Sequence, residues 1–301
     1  MNELETMQIF LQVAEQKSFS AAADVLDIPR STVSAAVQQL ESGLGVRLLQ
    51  RTTRRVMVTA EGEQFMARAQ HVLAEVDELR NLFRDSAVLH GTVRVDMPLP
   101  VARDLVLPRL AEFLSLHPEL QIELSSTDRR VDPLSEGFDL VVRVGELSDS
   151  SLVARRISEH RMVNCASPAY LEHHGRPQTP ADLQHHRLVG WSQNLGRGAQ
   201  RFEYLDAGGR CHVLTVPVQV TVNNTGAYSA ACLAGLGIIQ SPYLGIKDYL
   251  DTGLLEEILP DFRAPPMPVS ILYPERRFQP QRVRVFMAWL TDVIQTAMAA
   301  V

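Results

Sequence analysis

The pattern of apolar residues predicts three short helices at the start of the chain. In residues 3–16 apolar side chains recur every three or four positions, which is the spacing of one helix face. Ser18 and Ser20 flank Phe19 ahead of an alanine-rich segment and offer a capping hydroxyl, which predicts a second helix that ends near Leu26. After a turn at residues 27–29, Ser31 is placed to cap a third helix. The buried face of this third helix is predicted to carry Val33, Val37, Leu40 and Leu44.

A hairpin and a long helix are predicted next. The segment RLLQRTTRRVMVT indicates two short strands around a polar tip at residues 51–55. Thr59 is placed to cap a helix that runs to about Phe83, roughly 35 to 40 Å long at about 1.5 Å per residue. Apolar residues along it alternate spacings of four and three, at Phe65, Ala69, Val72, Val76, Leu79 and Phe83. This period of about 3.5 residues favours pairing with a second helix over packing on its own domain.

From about residue 91 onward, strand-like and helix-like segments alternate. Apolar runs such as TVRVDM, LQIELSS and DLVVRVG are separated by amphipathic segments such as VARDLVLPRLAEFLSL. This alternation predicts an α/β domain. Loops that carry proline and glycine at residues 175–180 and 264–268 are candidate crossings between two lobes of that domain.

Composition agrees with a cytoplasmic protein of two or three domains. A chain of 301 residues exceeds one ordinary core, and its 46% hydrophobic and 21% charged residues are close to the globular average. No apolar run approaches the roughly 18 residues of a membrane span, and MNELETMQIF lacks the features of a secretory signal. The three cysteines fit reduced thiols better than a disulfide framework.

Basic charge is concentrated near the third helix and the hairpin. The whole chain has a net charge of -6, yet residues 28–60 contain five arginines against the single acid Glu41, which gives 5 - 1 = +4. The face of the third helix opposite its apolar residues is polar and rich in hydrogen-bonding groups. This face carries Arg30, Thr32, Ser34, Ala35, Gln38 and Gln39. It is suited to lie against a polar partner.

The chain resembles the LysR-type transcriptional regulator family. The resemblance is dense in SFSAAADVLDIPRSTVSAAVQQLESGLGVRLLQRTTRRVMVTAEGE and continues through DMPLPVARDLVLPRLAEFLSLHPELQIEL, SEGFDLVVRVGEL and ACLAGLGIIQSPYL. It covers essentially the whole chain and is closest to the subgroup with the RLLQRTTRR wing. It implies an α+β multidomain fold: a winged helix-turn-helix at 1–58, a dimerisation linker helix at 59–88, and at 89–301 a two-lobed α/β effector domain like periplasmic solute-binding proteins. Lobe I would span about 89–161 and 268–301, and lobe II about 162–267.

The chemistry of the first domain agrees with binding to double-stranded DNA. Small and amide side chains on a helix read base edges in the major groove, while basic and hydroxyl groups bind phosphates. The predicted contacts are Ser20 beside the second helix, Arg30, Ser31, Thr32, Ser34 and Gln38 on the third, and Arg51, Thr52, Arg54 and Arg55 on the wing. The alternative is a solvated helix face and a charged loop. Many family members carry a basic or amide residue where this chain has Ala35, so more of the base reading is expected from Gln38.

A cleft between the lobes is the predicted effector site. Free N–H groups at a helix start favour an anion, and two predicted helix starts lie at residues 98–100 and 223–226. The resemblance implies a pocket formed by Pro98, Leu99, Pro100, Ser126, Thr127, Asp128, Arg143, Val144, Gly145, Asn224 and Thr225. Simple helix caps are the alternative. Members often carry a hydroxyl where this chain has Leu99 or Pro100, which predicts a more apolar pocket. We expect a small organic anion, with Arg143 adding a charged hydrogen bond; the alternative is that Arg143 only pairs with a surface acid.

Other chemistry is less favoured by the sequence. Gly235-Leu236-Gly237 is followed by Gln240, where a dinucleotide-binding motif needs glycine. His173, His174, His185 and His186 form adjacent pairs in polar loops, so no metal site and no cofactor are predicted. Cys211 lies beside Arg210 and His212 and is a candidate redox thiol, although no second cysteine lies close to it in sequence.

The sequence therefore predicts an effector-responsive transcriptional regulator that is not an enzyme. Its partners would be a pseudo-palindromic DNA operator, a small-molecule effector and a second copy of the chain, with a dimer of dimers implied by the resemblance and RNA polymerase as a further candidate. Three alternatives remain: a regulator without an effector, a solute-binding protein and an enzyme. Solute transport would require an export signal, and catalysis would require an activated nucleophile or an acid-base pair.

Overall fold

A computed structural model describes residues 1–51, 56–81, 88–129, 131–147, 152–193, 195, 201–274 and 279–299. The chain divides into two compact units. The first unit is Met1–Gly91 with Asp132–Gly137, and the second is Thr92–Val131 with Phe138–Val301. Among the helices in these ranges, none combines the length and apolar character that crossing a membrane requires.

The first unit is a bundle of three helices with a hairpin and a long fourth helix. Its elements are α1 (Glu3–Gln16), α2 (Phe19–Leu26), α3 (Arg30–Leu44), β1 (Leu49–Arg51), β2 (Val56–Val58) and α4 (Ala60–Asn81). The predicted caps at Ser18 and Thr59 are confirmed, since Ser18 Oγ accepts a hydrogen bond from Ala21 N at 3.2 Å and Thr59 Oγ1 accepts one from Gly62 N at 3.0 Å. These hydroxyls satisfy backbone donors that a helix start leaves without partners.

Two expectations about α3 are wrong. The helix begins at Arg30, with Pro29 rather than Ser31 at the cap position and no side-chain cap. Proline suits a helix start because its φ is fixed near the helical value and its missing N–H would have no partner there. Leu44 is not buried but 45% exposed, because α3 ends here and Gly45 turns the chain with a φ of 70°. Val33 and Val37 are buried as predicted.

Gly62 allows the first turn of α4 to pack directly on the hairpin. A Cβ atom at this position would lie 2.1 Å from the carbonyl oxygen of Leu48 and 2.7 Å from Cγ1 of Val58. A backbone oxygen cannot move aside as a flexible side chain can. A side chain at residue 62 would therefore separate α4 from the hairpin that forms the wing.

Only part of the apolar seam on α4 remains exposed. The ring of Phe65 packs edge-on against Phe10 with 5.4 Å between centroids, and Ala69 is 2% exposed, so both contribute to the core of their own unit. Farther along α4, Val72 is 39% exposed and Leu79 is 63% exposed. Phe83 lies outside the described residues. The part of the seam that this unit leaves uncovered therefore lies in the second half of α4.

The rest of the chain forms the second unit, apart from the short α6. From residue 91 onward the strands and helices are β3 (Gly91–Met97), α5 (Leu107–Leu116), β4 (Leu120–Ser126), α6 (Pro133–Glu136), β5 (Leu140–Val144), β6 (Leu152–His160), β7 (Met162–Ala166), α7 (Pro168–His174), β8 (Leu188–Trp191), β9 (Arg201–Leu205), β10 (Cys211–Thr215), β11 (Val218–Val222), α8 (Thr225–Leu233), β12 (Ile239–Pro242), α9 (Lys247–Asp251), β13 (Glu256–Ile258), β14 (Met267–Pro274) and α10 (Gln281–Ala299). A π-helical turn at Val101–Val106 leads into α5.

Two groups of strands give this unit its lobes. A five-stranded sheet in the order β4-β3-β5-β14-β6 belongs to lobe I. Lobe II contains the three-stranded sheet β12-β7-β13, the parallel pair β8 and β11, and the antiparallel hairpin of β9 and β10. The chain enters lobe II between β6 and β7 and returns at β14. The carboxyl ends of β3 and β4 belong to lobe I, and the start of α8 belongs to lobe II. Together they carry most of the residues predicted to contact an effector.

Candidate functional site

The predicted DNA-reading residues of α3 share one face of that helix. Ser31 and Gln38 are exposed and Ser34 is half-buried, while Val33 and Val37 on the opposite side are fully buried. Spacings of three and four residues place side chains on one helix face. The polar face is therefore open to a partner while the apolar face holds the helix in the bundle.

Of the other predicted contacts on the helices of this unit, Ser20 and Arg30 are exposed and Thr32 is half-buried. Ser20 lies in the first turn of α2, and Arg30 opens α3. Because the residue before Arg30 provides no side-chain cap, N–H groups of the first turn of α3 remain available to an anion such as phosphate.

The hairpin that carries the wing is confirmed, with Arg51 paired to Val56 at the end nearest residues 52–55. Thr52, Arg54 and Arg55 lie outside the described residues.

An ion pair is buried at the carboxyl ends of β3 and β5. Arg143 Nη1 donates to Asp96 Oδ2 at 2.8 Å, and the two side chains are 14% and 0% exposed. The other carboxylate oxygen of Asp96 accepts a hydrogen bond from Thr127 Oγ1 at 3.0 Å. Arg143, which the sequence places at the effector, is thus neutralised within lobe I. Asp96 joins two predicted site residues although it was not itself predicted.

The start of α8 binds a carboxylate from lobe I. Asp128 Oδ2 accepts hydrogen bonds from Thr225 N at 2.6 Å and from Thr225 Oγ1 at 2.9 Å. The backbone oxygen of Asp128 accepts a third hydrogen bond from Gln193 Nε2 at 2.8 Å. Asn224 caps α8, since its Oδ1 accepts a hydrogen bond from Ala227 N at 2.8 Å. The donors at this helix start are therefore paired with a carboxylate of the chain itself.

Apolar contacts between the lobes flank this carboxylate. A Cβ atom on Gly226 would lie 3.9 Å from Cδ2 of Leu99, and one on Gly245 would lie 3.4 Å from the ring of Pro100. The structure thus brings Leu99, Pro100, Asp128 and Thr225 to the same junction of the lobes.

The remaining predicted effector residues lie at strand ends or form backbone hydrogen bonds within lobe I. Ser126 ends β4, Val144 ends β5, Gly145 N donates to Pro268 O at 2.9 Å, and Pro98 O accepts from Ala102 N at 3.1 Å.

Sequence reasoning missed Asp96 and Gln193. The signal for Asp96 was present, because an acid within the apolar strand TVRVDM needs a buried partner. Gln193 follows β8, a strand that the apolar pattern did not predict, so nothing in the sequence pointed to it.

Two of the candidate histidines pack against Tyr170. His174 stacks on Tyr170 with 4.3 Å between ring centroids, and His186 Nδ1 lies 3.3 Å from the Tyr170 hydroxyl. Burial lowers the pKa of His186, with nearby His174 adding to the effect. Among the described residues, no three histidine, cysteine, aspartate or glutamate side chains are grouped to hold a metal ion.

Two of the cysteines lie together although they are far apart in sequence. Cys165 and Cys232 are fully buried, and a hydrogen bond with Cys232 together with burial raises the pKa of the Cys165 thiol. A protonated, buried thiol is a poor nucleophile. Cys211 is exposed.

Comparisons with known proteins match both parts of the chain. Residues 4–63 match the model of the bacterial regulatory helix-turn-helix protein, lysR family, and residues 86–295 match the LysR substrate binding domain. The chain is 45% identical to the uncharacterized HTH-type transcriptional regulator YhjC of Escherichia coli K12, over 98% of this chain and 99% of that protein. It is 34% identical to an HTH-type transcriptional repressor of Pseudomonas aeruginosa, over 97% of this chain and 92% of the relative.

A solved structure shows the same likeness over the full length. CrgA, a LysR-type transcriptional regulator from Neisseria meningitidis, is 31% identical and superposes with a TM-score of 0.60 over 97% of this chain and 98% of its own. The match covers the helix-turn-helix, the long helix and the two-lobed domain together. The chain therefore belongs to the LysR family of bacterial transcriptional regulators.

Proposed function

We propose that this LysR-type regulator binds a pseudo-palindromic DNA site as a homodimer and that a small organic anion in the cleft between its lobes changes that binding. The exposed polar face of α3 is the observation that carries the proposal. Its apolar side is buried, so the helix is held rigidly while Ser31, Ser34 and Gln38 stay available. A rigid helix with short polar side chains fits the major groove, where such groups read base edges.

Phosphate contacts would come from the elements on either side of this face. Ser20 and the uncapped start of α3 offer hydroxyl and N–H donors, and the wing offers Arg51, Thr52, Arg54 and Arg55. The positive charge of residues 28–60 supports this assignment, because phosphate contacts supply most of the non-specific affinity for DNA.

Homodimerisation would use the uncovered half of α4. Val72, Val76 and Leu79 follow each other at spacings of four and three residues, and two of them are more than a third exposed. Apolar residues at this period pair helices side by side. Phe65 and Ala69 would support the interface only indirectly, since both pack in their own unit. A dimer of dimers and a contact with RNA polymerase extend the same proposal.

The effector would bind where lobe I meets the start of α8. Thr225 offers a backbone N–H and a hydroxyl at a helix start, a combination that binds carboxylates well. Leu99 and Pro100 would cover the carbon skeleton. The second candidate function, a regulator that needs no effector, is favoured by the fact that Thr225 and Arg143 already have partners within the chain.

Alanine substitution of Arg51, Arg54 and Arg55 together tests the DNA-binding part of the proposal. The triple variant is expected to bind every duplex more weakly, because each arginine that contacts a phosphate releases counterions. The slope of log K against log salt concentration should fall by about 0.9 per lost contact, up to about 2.7 for three. Fluorescence anisotropy with one duplex at several salt concentrations measures this.

The matched control replaces three exposed arginines of the second unit, Arg109, Arg155 and Arg284, by alanine. This variant loses the same net charge and is expected to keep the wild-type slope. Equal slopes in the two triple variants would contradict wing contacts with phosphate.

A further inference from the structure

The start of α8 is occupied by a carboxylate that belongs to lobe I. Asp128 Oδ2 accepts both hydrogen bonds that Thr225 can donate at this helix start, at 2.6 and 2.9 Å. The two residues are 97 positions apart in the chain. Asn224 takes the N–H of Ala227, so it does not compete for the Thr225 donors. The contact therefore joins the two lobes and fills the position where a ligand anion would be stabilised.

The loop that carries Asp128 is itself fixed on lobe I. Thr127 Oγ1 donates to Asp96, whose second oxygen accepts from Arg143. Gln193 of lobe II adds a hydrogen bond to the backbone oxygen of Asp128. The buried Asp96–Arg143 ion pair therefore holds Thr127, and Gln193 holds the backbone of Asp128. Together these contacts position the Asp128 side chain at the start of α8.

We propose that Asp128 is a tethered anion: it holds lobe I against lobe II in the effector-free protein, and the anionic group of the effector displaces it. This inference rests on the effector site proposed above and adds how that site is regulated. Two carboxylates cannot share the two Thr225 donors, because like charges at hydrogen-bond distance repel each other. Binding of an anion at α8 therefore requires Asp128 to leave, which releases one of the contacts between the lobes. A free carboxylate that makes no other contact in the cleft does not displace Asp128, because the tethered carboxylate has a high effective concentration at α8. An effector displaces it through its additional contacts with Leu99 and Pro100.

Removal of the tethered carboxylate should create a site for a free one. In the full-length protein with Asp128→Ala, sodium acetate is expected to raise the melting temperature in a saturable way by about 2 to 4 °C relative to sodium chloride at equal ionic strength. Acetate reproduces the carboxylate and the adjacent carbon of the lost side chain. The wild-type protein is expected to show no such shift at the same acetate concentrations.

Thr225→Pro provides the second variant. Proline is accommodated at the first position of a helix, and Asn224 already has the extended conformation, φ -145° and ψ 153°, that a residue before proline requires. The substitution removes both donors of Thr225 without removing a bond within α8. In Asp128→Ala with Thr225→Pro, acetate stabilisation should disappear. The losses of melting temperature caused by the two substitutions should also be strongly non-additive, because both break the same contact.

Asp182→Ala is the matched control. Asp182 Oδ2 also accepts two backbone N–H bonds, from Gln178 and Thr179 at 2.9 Å each, but entirely within lobe II. Water solvates the N–H groups that Asp182 leaves, because these hydrogen bonds are exposed, whereas those between Thr225 and Asp128 are partly buried. Acetate should therefore stabilise Asp182→Ala much less than Asp128→Ala.

Three results would overturn the proposal: no acetate stabilisation of Asp128→Ala, equal stabilisation of the wild type or of the Asp182 control, or additive losses in the double variant. None of these measurements involves DNA, so their failure would leave DNA binding and its own test unaffected.

Discussion

Replacing Val72 and Leu79 together by aspartate is expected to keep the full-length chain monomeric at concentrations where the wild type dimerises. In the proposed homodimer the two substitutions would place four carboxylates in one helix pair. Each buried, unpaired charge costs several kcal/mol, and the apolar surroundings offer no partner. The two side chains are 39% and 63% exposed, so their replacement removes little from the core of the unit itself. Sedimentation velocity over a dilution series measures the change.

A control with the same number of new charges separates dimerisation from a general effect of aspartate. Val25 and Met57 are 59% and 57% exposed apolar residues of the same unit, on α2 and β2. Aspartate at both positions should leave the association constant close to that of the wild type. Dimers that persist in the α4 variant would place the interface elsewhere on the chain.

Asp96→Ala is expected to destabilise the second unit by about 3 to 5 kcal/mol, the usual cost of removing one partner of a buried ion pair. Arg143 is only 14% exposed and would lose its contact with the Asp96 carboxylate. Thr127 would lose its acceptor as well, so the loop that carries Asp128 should also lose its fixed position. Urea unfolding followed by a probe in this unit measures the free energy of unfolding.

An exposed ion pair in the same sheet provides the comparison. Glu123 on β4 contacts Arg94 Nε at 2.7 Å, and the glutamate is 57% exposed. Glu123→Ala should cost at most about 1 kcal/mol, because water screens the pair and replaces its contacts. Similar losses in the Asp96 and Glu123 variants would show that the buried pair adds no special stability.

The first unit could be predicted closely because local signals determine its elements. Ser18 and Thr59 cap helices through bonds to residues three positions away, and the apolar spacing of α1 and α3 indicates the faces they bury. Errors arose where the environment mattered more than the pattern. Phe65 fits the heptad spacing, yet its ring packs on Phe10 of α1, and spacing alone cannot distinguish a partner helix from a neighbour in the same domain.

The positions of the proposed effector cleft could be predicted from the sequence, but the contacts there could not. Helix starts and strand ends can be recognised from sequence, which located Thr225 and Arg143. Their partners cannot, because Asp96 lies 47 residues from Arg143 and Asp128 lies 97 residues from Thr225. The sequence suggested the Arg143 cation and the Thr225 donors for binding a ligand anion. Each is paired with a carboxylate of the chain itself. Only the fold brings these carboxylates to them.

Sequence reading by α3 is tested most directly by comparing the loss of affinity caused by Gln38→Ala on two duplexes of equal length at one salt concentration. One is the site that the wild type selects from a random pool, and the other has a scrambled sequence. If Gln38 reads a base edge, the selected site should lose about 1 to 3 kcal/mol, roughly 5- to 150-fold, and the scrambled duplex much less. Gln8→Ala, the same change at an exposed residue of α1, should affect both duplexes little. Equal losses on the two duplexes, or none on the selected site, would contradict the account.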